Sequence, residues 1–241
     1  MTDPENSSTL GIAPPQGFDT AAYTAIHDKM RGYNNSHRAA WRSFGSAWNG
    51  LLYRHRGAQE HCQTFVELIG SPNPSFTERY RQDLALFSFF SCALSTLECF
   101  SVGAHCIAST INSQAFPVSS DKELREINPR NVAKRYGSAF PETAIAETMC
   151  EIFQADSTYE HIKTQRDYLS HRGTLPRTLD VGGDDDGKVC IPDNAKKPST
   201  DWQFTRELNS QTTGEPYRWL EQSIARLLAS MKEFCDQRLL R

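Results

Sequence analysis

The chain lacks the cysteine patterns that disulfide frameworks and zinc sites require. Its 241 residues include seven cysteines, which is an odd number, and no Cys-x-x-Cys pair. Cys92, Cys99 and Cys106 lie inside an apolar run that is typical of a helix. Free, buried thiols in a reducing compartment explain this usage better than cross-links or bound zinc. We therefore expect a cytoplasmic protein with no metal and no cofactor.

The chain also lacks a large charge of either sign. Its formal net charge is −3, with 23% charged and 38% hydrophobic residues, a balance that suits a folded globular protein. The whole surface has no reason to attract nucleic acid or anionic membrane, so any basic site must be local. No internal repeat, glycine-rich phosphate loop or Gly-x-Ser-x-Gly turn occurs, which excludes the motif-based nucleotide-binding and hydrolase classes.

The start of the chain lacks the features of a signal peptide. Residues 1–16 contain two acidic and no basic residues and have no long apolar run. We expect residues 1–17 to be a disordered tail and residues 18–241 to form one domain.

One long apolar run raises the question of a membrane span. From Leu84 to Ile111 the only charged residue is Glu98, and the length alone would cross a bilayer. However, seven serines and threonines are spread along the run, and a central carboxylate is costly in lipid. We expect a buried central helix in a soluble protein instead.

Helical periodicity dominates the first half of the chain. Apolar residues recur every three or four positions from Ser36 to about Ile69, which predicts one long amphipathic helix. A turn rich in proline follows, and a second long helix is predicted from Phe76 to Asn112. Small residues repeat along this second helix at the same spacing. They would let another helix approach closely, either within the core or from a second copy of the protein.

The second half predicts shorter helices and one irregular insertion. Short helical pieces are expected within Asp121–Tyr136, a helix opening at Pro141, and a helix over Thr158–Arg172 with a capping box at its start. Thr174–Thr213 contains strand-like pieces that predict one or two small hairpins. Pro216 is predicted to begin the last helix. The fold class is therefore an all-α bundle with a hairpin-like insertion.

Arg166 occupies an unusual place in the helix over Thr158–Arg172. The apolar spacing of Tyr159, Ile162 and Leu169 is completed by Arg166, so this guanidinium should face the core or an interface. A buried guanidinium is costly unless it is paired. Glu98 on the apolar helix is the natural partner, and a purely structural ion pair is one reading of Arg166.

His171 follows five residues later, about 140° around an ideal helix from Arg166. The two side chains would converge only if the last turn opened or if two copies of the helix met. A histidine at a helix end also has a plain structural explanation, because a cation there is favoured by the helix dipole.

The run Arg166-Asp167-Tyr168-Leu169-Ser170-His171 resembles the signature of the HEPN superfamily, which is an arginine, a polar residue, several residues of any type and a histidine. The continuation to Arg177 is also similar to HEPN-type proteins. The resemblance in architecture extends over roughly Ser36–Arg241, without the hairpin-like insertion.

This resemblance implies a homodimer that cleaves RNA without a metal at a cleft shared by two copies. His171 would act as general acid or base and Arg166 would hold the scissile phosphate. Asp167 would orient either the pair or the nucleotide, and Tyr168 would stack on the nucleotide or donate a hydrogen bond to it. From His161 to Thr178, four basic residues oppose one acid, so further substrate contacts are expected from Lys163, Arg172 and Arg177.

The resemblance also implies a role in stress or phage defence and a regulatory protein partner. Some HEPN proteins have lost catalysis and bind only a protein or a nucleotide. In that alternative, Arg166 and His171 are structural, with Glu98 as the supporting partner of the arginine.

Overall fold

The computed structural model describes residues 12–71, 74–155, 157–171 and 208–239, and this part of the chain contains eight helices and no strand. The all-α fold class is confirmed. The helices are α1 Thr20–Arg31, α2 Arg38–Ile69, α3 Phe76–Ser109, α4 Asp121–Arg125, α5 Pro129–Ala139, α6 Ala144–Ile152, α7 Thr158–His171 and α8 Gln211–Arg238.

The long helices α2 and α3 form an antiparallel pair, and both begin and end close to their predicted limits. Ser75 caps α3, because its hydroxyl accepts the Glu78 N–H while the Glu78 carboxylate accepts the Ser75 N–H. A methyl group at Gly50 would lie 2.8 Å from the Cys99 sulfur. The small residues of α3 therefore serve close packing within the core, which is one of the two alternatives for this stripe.

Helix α1 was not predicted, although Tyr23, Ile26 and Met30 show helical spacing and are buried. Two reciprocal hydrogen bonds attach it to α2. The Tyr23 hydroxyl donates to the Trp48 carbonyl at 2.9 Å, and the Trp48 indole N–H donates to the Tyr23 carbonyl at 3.1 Å. The described part of the expected tail also packs, since Ile12 lies against the core and Pro15 is buried.

Two predicted helix starts in the second half are wrong. Helix α8 begins at Gln211, so Pro216 lies inside its second turn. Because proline has no N–H, α8 lacks the hydrogen bond that residue 216 would otherwise donate to the Thr212 carbonyl. Helix α6 begins at Ala144 and not at Pro141, because the Thr143 hydroxyl donates to the Phe140 carbonyl and closes a turn before it.

The predicted hairpin-like insertion falls largely on residues 172–207, which lie outside the described residues. Its expected end at Thr213 is wrong, because residues 211–213 belong to α8.

Helix α3 is buried less completely than predicted. Its C-terminal half is almost fully enclosed, but its N-terminal half carries exposed apolar side chains, and Phe76 is 90% exposed. We call Phe76, Tyr80, Leu84 and Phe87 the α3 stripe. By length and composition α3 would also cross a membrane, and 56% of its most apolar stretch is buried within the protein.

Candidate active site

Helix α7 carries the Arg166–His171 motif and lies along α3. Tyr159 and Ile162 anchor its first half in the core. The ring of His161 contacts the edge of Phe90 on α3, with the ring centroids 6.0 Å apart. From Lys163 onward every side chain of α7 is partly exposed or exposed. The motif therefore occupies the half of the helix that reaches solvent.

The start of α7 lies where it was predicted, but its contacts differ from a capping box. The Ser157 hydroxyl donates to the Gln154 carbonyl at 2.8 Å. The Glu160 carboxylate pairs with Arg130 of α5 at 2.7 Å. Arg130 also donates to the Phe153 carbonyl at 3.1 Å. Glu160 thus joins α7 to α5, a tertiary contact that the local sequence pattern could not indicate.

Arg166 lies between two carboxylates. Its Nη2 is 3.8 Å from Glu98 Oε1, and its Nε is 3.3 Å from Asp167 Oδ1. The side chain of Arg166 is 31% exposed and that of Glu98 is 46% exposed. The contact between Arg166 and Glu98 that the apolar spacing suggested is present. It lies at the edge of the core and leaves the guanidinium open to solvent.

Burial raises the pKa of the Glu98 carboxyl above its ordinary value. Arg166 opposes this effect and Asp167 adds to it. Removing the positive charge of Arg166 would therefore raise the pKa of Glu98 further. The cluster contains one cation and two carboxylates. The protonation of Glu98 therefore depends on whether Arg166 stays next to it.

His171 is the last residue of α7 and is exposed. The helix continues to His171, so its last turn does not open before the histidine. On such a helix Arg166 and His171 point about 140° apart. Of the two routes to convergence, only the meeting of two copies remains compatible with this helix.

The other predicted site residues differ in their surroundings. Tyr168 is partly buried against the core. Lys163 Nζ lies 3.8 Å from Glu160 Oε1. Arg172 and Arg177 lie outside the described residues. Sequence reasoning missed Arg130, which no local motif marks.

The α3 stripe and Glu98 share one face of α3. Phe87 and Glu98 are eleven residues apart, which is three turns plus about 20°. Phe76 and Phe87 have the same separation. A molecule that covered the stripe would therefore approach the contact between Glu98 and Arg166.

No model of a known protein family, no curated protein and no solved structure matches this chain. The resemblance to the HEPN superfamily thus rests on the motif and on the helical architecture.

Proposed function

We propose that the chain is a HEPN-type endoribonuclease that needs no metal and acts on RNA in the cytoplasm. The observation that carries this proposal is the accessibility of the motif. Arg166 is held by two carboxylates yet stays 31% exposed, and His171 is exposed at the end of the same helix. A site for a phosphate must stay open to solvent, and both the guanidinium and the imidazole do so.

The reaction needs an acid or base and a cation at the phosphate, and α7 offers both. The 2′-hydroxyl of a ribose attacks the adjacent phosphorus, the O2′–P bond forms, and the P–O5′ bond breaks. Either His171 takes the 2′ proton while water protonates the leaving 5′-oxygen, or His171 protonates that oxygen while water takes the 2′ proton. Arg166 binds the nonbridging oxygens as their negative charge grows. Asp167 keeps the guanidinium in place, and Lys163, Tyr168, Arg172 and Arg177 contact the strand.

We further propose that the active form is a homodimer that pairs through the α3 stripe. Phe76 and Tyr80 are 90% and 66% exposed. Scaling the area of an aromatic side chain by the exposed fractions of the four side chains gives the stripe an exposed area of roughly 450 Å² per copy. Two copies would bury roughly 900 Å² through these side chains, which is the size of a weak or transient interface. Because Glu98 shares this face, such pairing would bring the two α7 helices toward each other.

A second candidate is a non-catalytic HEPN module that binds a protein or a nucleotide. The two carboxylates around Arg166 favour it, because they occupy the group that would otherwise bind a phosphate. The role in stress or phage defence and the regulatory partner come from the resemblance alone.

The deciding experiment measures cleavage of a single-stranded RNA in the presence of a chelator. His171→Ala should lower the rate roughly a hundred- to ten-thousand-fold, the usual contribution of a general acid or base. His161→Ala is the matched control, because it makes the same change ten residues earlier on α7. Cleavage that persists undiminished in clean His171→Ala protein would overturn the assignment.

Assembly is tested by light scattering at micromolar concentration. The wild-type protein should have the mass of a dimer. Phe87→Glu should give monomers, and Val66→Glu should not, although both side chains are 38% exposed. A strictly monomeric wild type would refute the dimer. Extraction of the native protein only by detergent would assign the α3 stripe to a membrane.

A further inference from the structure

A groove of about 600 Å³ lies between α5 and the turn that follows α3. Its polar lining consists of Asn112, Asn131, Lys134, Arg135 and Ser138. The volume is in the range of small-molecule sites. The groove holds two cations and no acidic residue.

The two cations of the groove differ from the other basic residues near the motif. Arg130, Lys163 and Arg166 each lie within 4 Å of a carboxylate. Among the described residues, Lys134 and Arg135 make no ion pair. A nearby acid, Glu123, has its carboxylate engaged by the Ser119 and Ser120 N–H groups at 2.7 and 3.0 Å. Backbone hydrogen bonds leave Glu123 charged, but no carboxylate of the described residues lies within ion-pair distance of the two cations.

Helix α5 holds these side chains on a firm support. Asn128 caps the helix, and its side chain accepts the Asn131 N–H at 3.0 Å. The Tyr136 hydroxyl donates to the Ala104 carbonyl of α3 at 2.7 Å, in the core. Asn112 accepts the Ala115 N–H through its Oδ1 at 3.1 Å, which leaves its amide N–H groups as donors. The backbone that carries these side chains is thus fixed by the fold, and the Asn131 amide and the Ser138 hydroxyl already donate to backbone carbonyls.

We infer that this groove is a phosphate-binding site, with Arg135 as a two-pronged donor and Lys134 as a point charge. Taking the phosphate to belong to an RNA strand rests on the proposed function. Arg130 lies one turn before Lys134, about 6 Å along α5. It pairs with Glu160, which precedes Arg166 by six residues, about 9 Å along α7. A short strand would reach from the groove toward Arg166.

The test compares two double variants made in the His171→Ala protein, which holds RNA uncut. Lys134→Gln with Arg135→Gln removes the charges of the groove. Arg81→Gln with Arg218→Gln is the control, because it removes the same charge from exposed positions of α3 and α8. The affinities for a short single-stranded RNA and for ATP are measured between roughly 50 and 200 mM salt.

The groove variant should bind RNA roughly ten- to a hundredfold more weakly, the range for lost hydrogen bonds to a charged group. Its slope of log affinity against log salt should fall by about 1.4, since each phosphate contact on a single strand contributes about 0.7. The control should keep the parent's slope. Weaker binding of ATP with no RNA binding would support the phosphate site with a free nucleotide as its source, and would refute the proposed nuclease.

Equal RNA affinity in the two double variants would overturn the groove proposal. In that case the cleavage assay alone would decide whether the proposed function is correct. A parent protein that binds neither RNA nor ATP would also overturn it.

Discussion

Replacing Arg166 by alanine distinguishes the catalytic reading from the structural one, because the geometry limits the stability that the residue can contribute. The Nη2–Oε1 distance to Glu98 is 3.8 Å, and both side chains are about one third to one half exposed. Exposed pairs of this kind contribute about 0.2–1 kcal/mol. Arg166→Ala should therefore lower the free energy of unfolding by no more than about 1 kcal/mol. In a protein of this size that is a fall in Tm of about 2–4 °C.

The rate of RNA cleavage should fall much more than the stability when Arg166 is replaced. If Arg166 holds the scissile phosphate, its loss removes the stabilisation of the developing charge, about 3 kcal/mol or roughly a hundredfold or more in rate. His171→Ala should match this loss with no measurable change in Tm, because its side chain is exposed at a helix end. Thermal melts and RNA cleavage with a chelator are measured on the same preparations.

The substitution Glu98→Gln tests whether Arg166 has a structural or a catalytic role. Burial holds the pKa of Glu98 above its ordinary value, so ionising this carboxyl is less favourable in the folded protein than in the unfolded chain. Glu98→Gln alone should leave Tm at neutral pH unchanged or slightly higher, and this difference should shrink as the pH falls through the raised pKa and vanish below the ordinary pKa of a glutamate. A fall in Tm of about 8 °C or more in Arg166→Ala, rescued by Glu98→Gln, with His171→Ala fully active, would refute the catalytic reading.

Three further predictions concern the core. Gly103→Ala should lower the free energy of unfolding by about 1–3 kcal/mol, because the added methyl would lie 2.7 Å from the Trp48 ring. Gly137→Ala should raise it by about 0.5–1 kcal/mol, because that helical site is open. Thermal melts of the two variants check both signs. Burial lowers the pKa of His55 to about 4, so its contribution is full above pH ~6.5 and about 2 kcal/mol is lost by pH ~5. His55→Leu should flatten the dependence of Tm on pH, and an unchanged dependence would contradict this account. Among the described cysteines, Cys150 is exposed while three others are buried, so a thiol reagent should modify Cys150 first and the buried ones only on unfolding, as peptide mapping would show.

Much of the helical architecture was predictable because it depends on local spacing. Helices α2 and α3 follow their apolar periodicity, and the Ser75–Glu78 cap marks where α3 begins. Helix α1 was missed although its apolar spacing is helical, since its attachment comes from a hydrogen-bonded pair 25 residues apart in the chain. The starts of α6 and α8 were misplaced because proline marks a permitted helix start and not a required one.

One contact of the candidate site was predictable from the sequence, but its exposure was not. Two charges on apolar faces, Glu98 and Arg166, were expected to meet, and they do. The spacing of Arg166 and His171 likewise indicated that one straight helix would not bring them together. Tertiary packing alone decided that the Arg166–Glu98 contact lies at the edge of the core, that Arg130 binds Glu160, and that the α3 stripe is left uncovered. Periodicity tells which residues share a face of a helix, but what covers that face depends on segments distant in the chain.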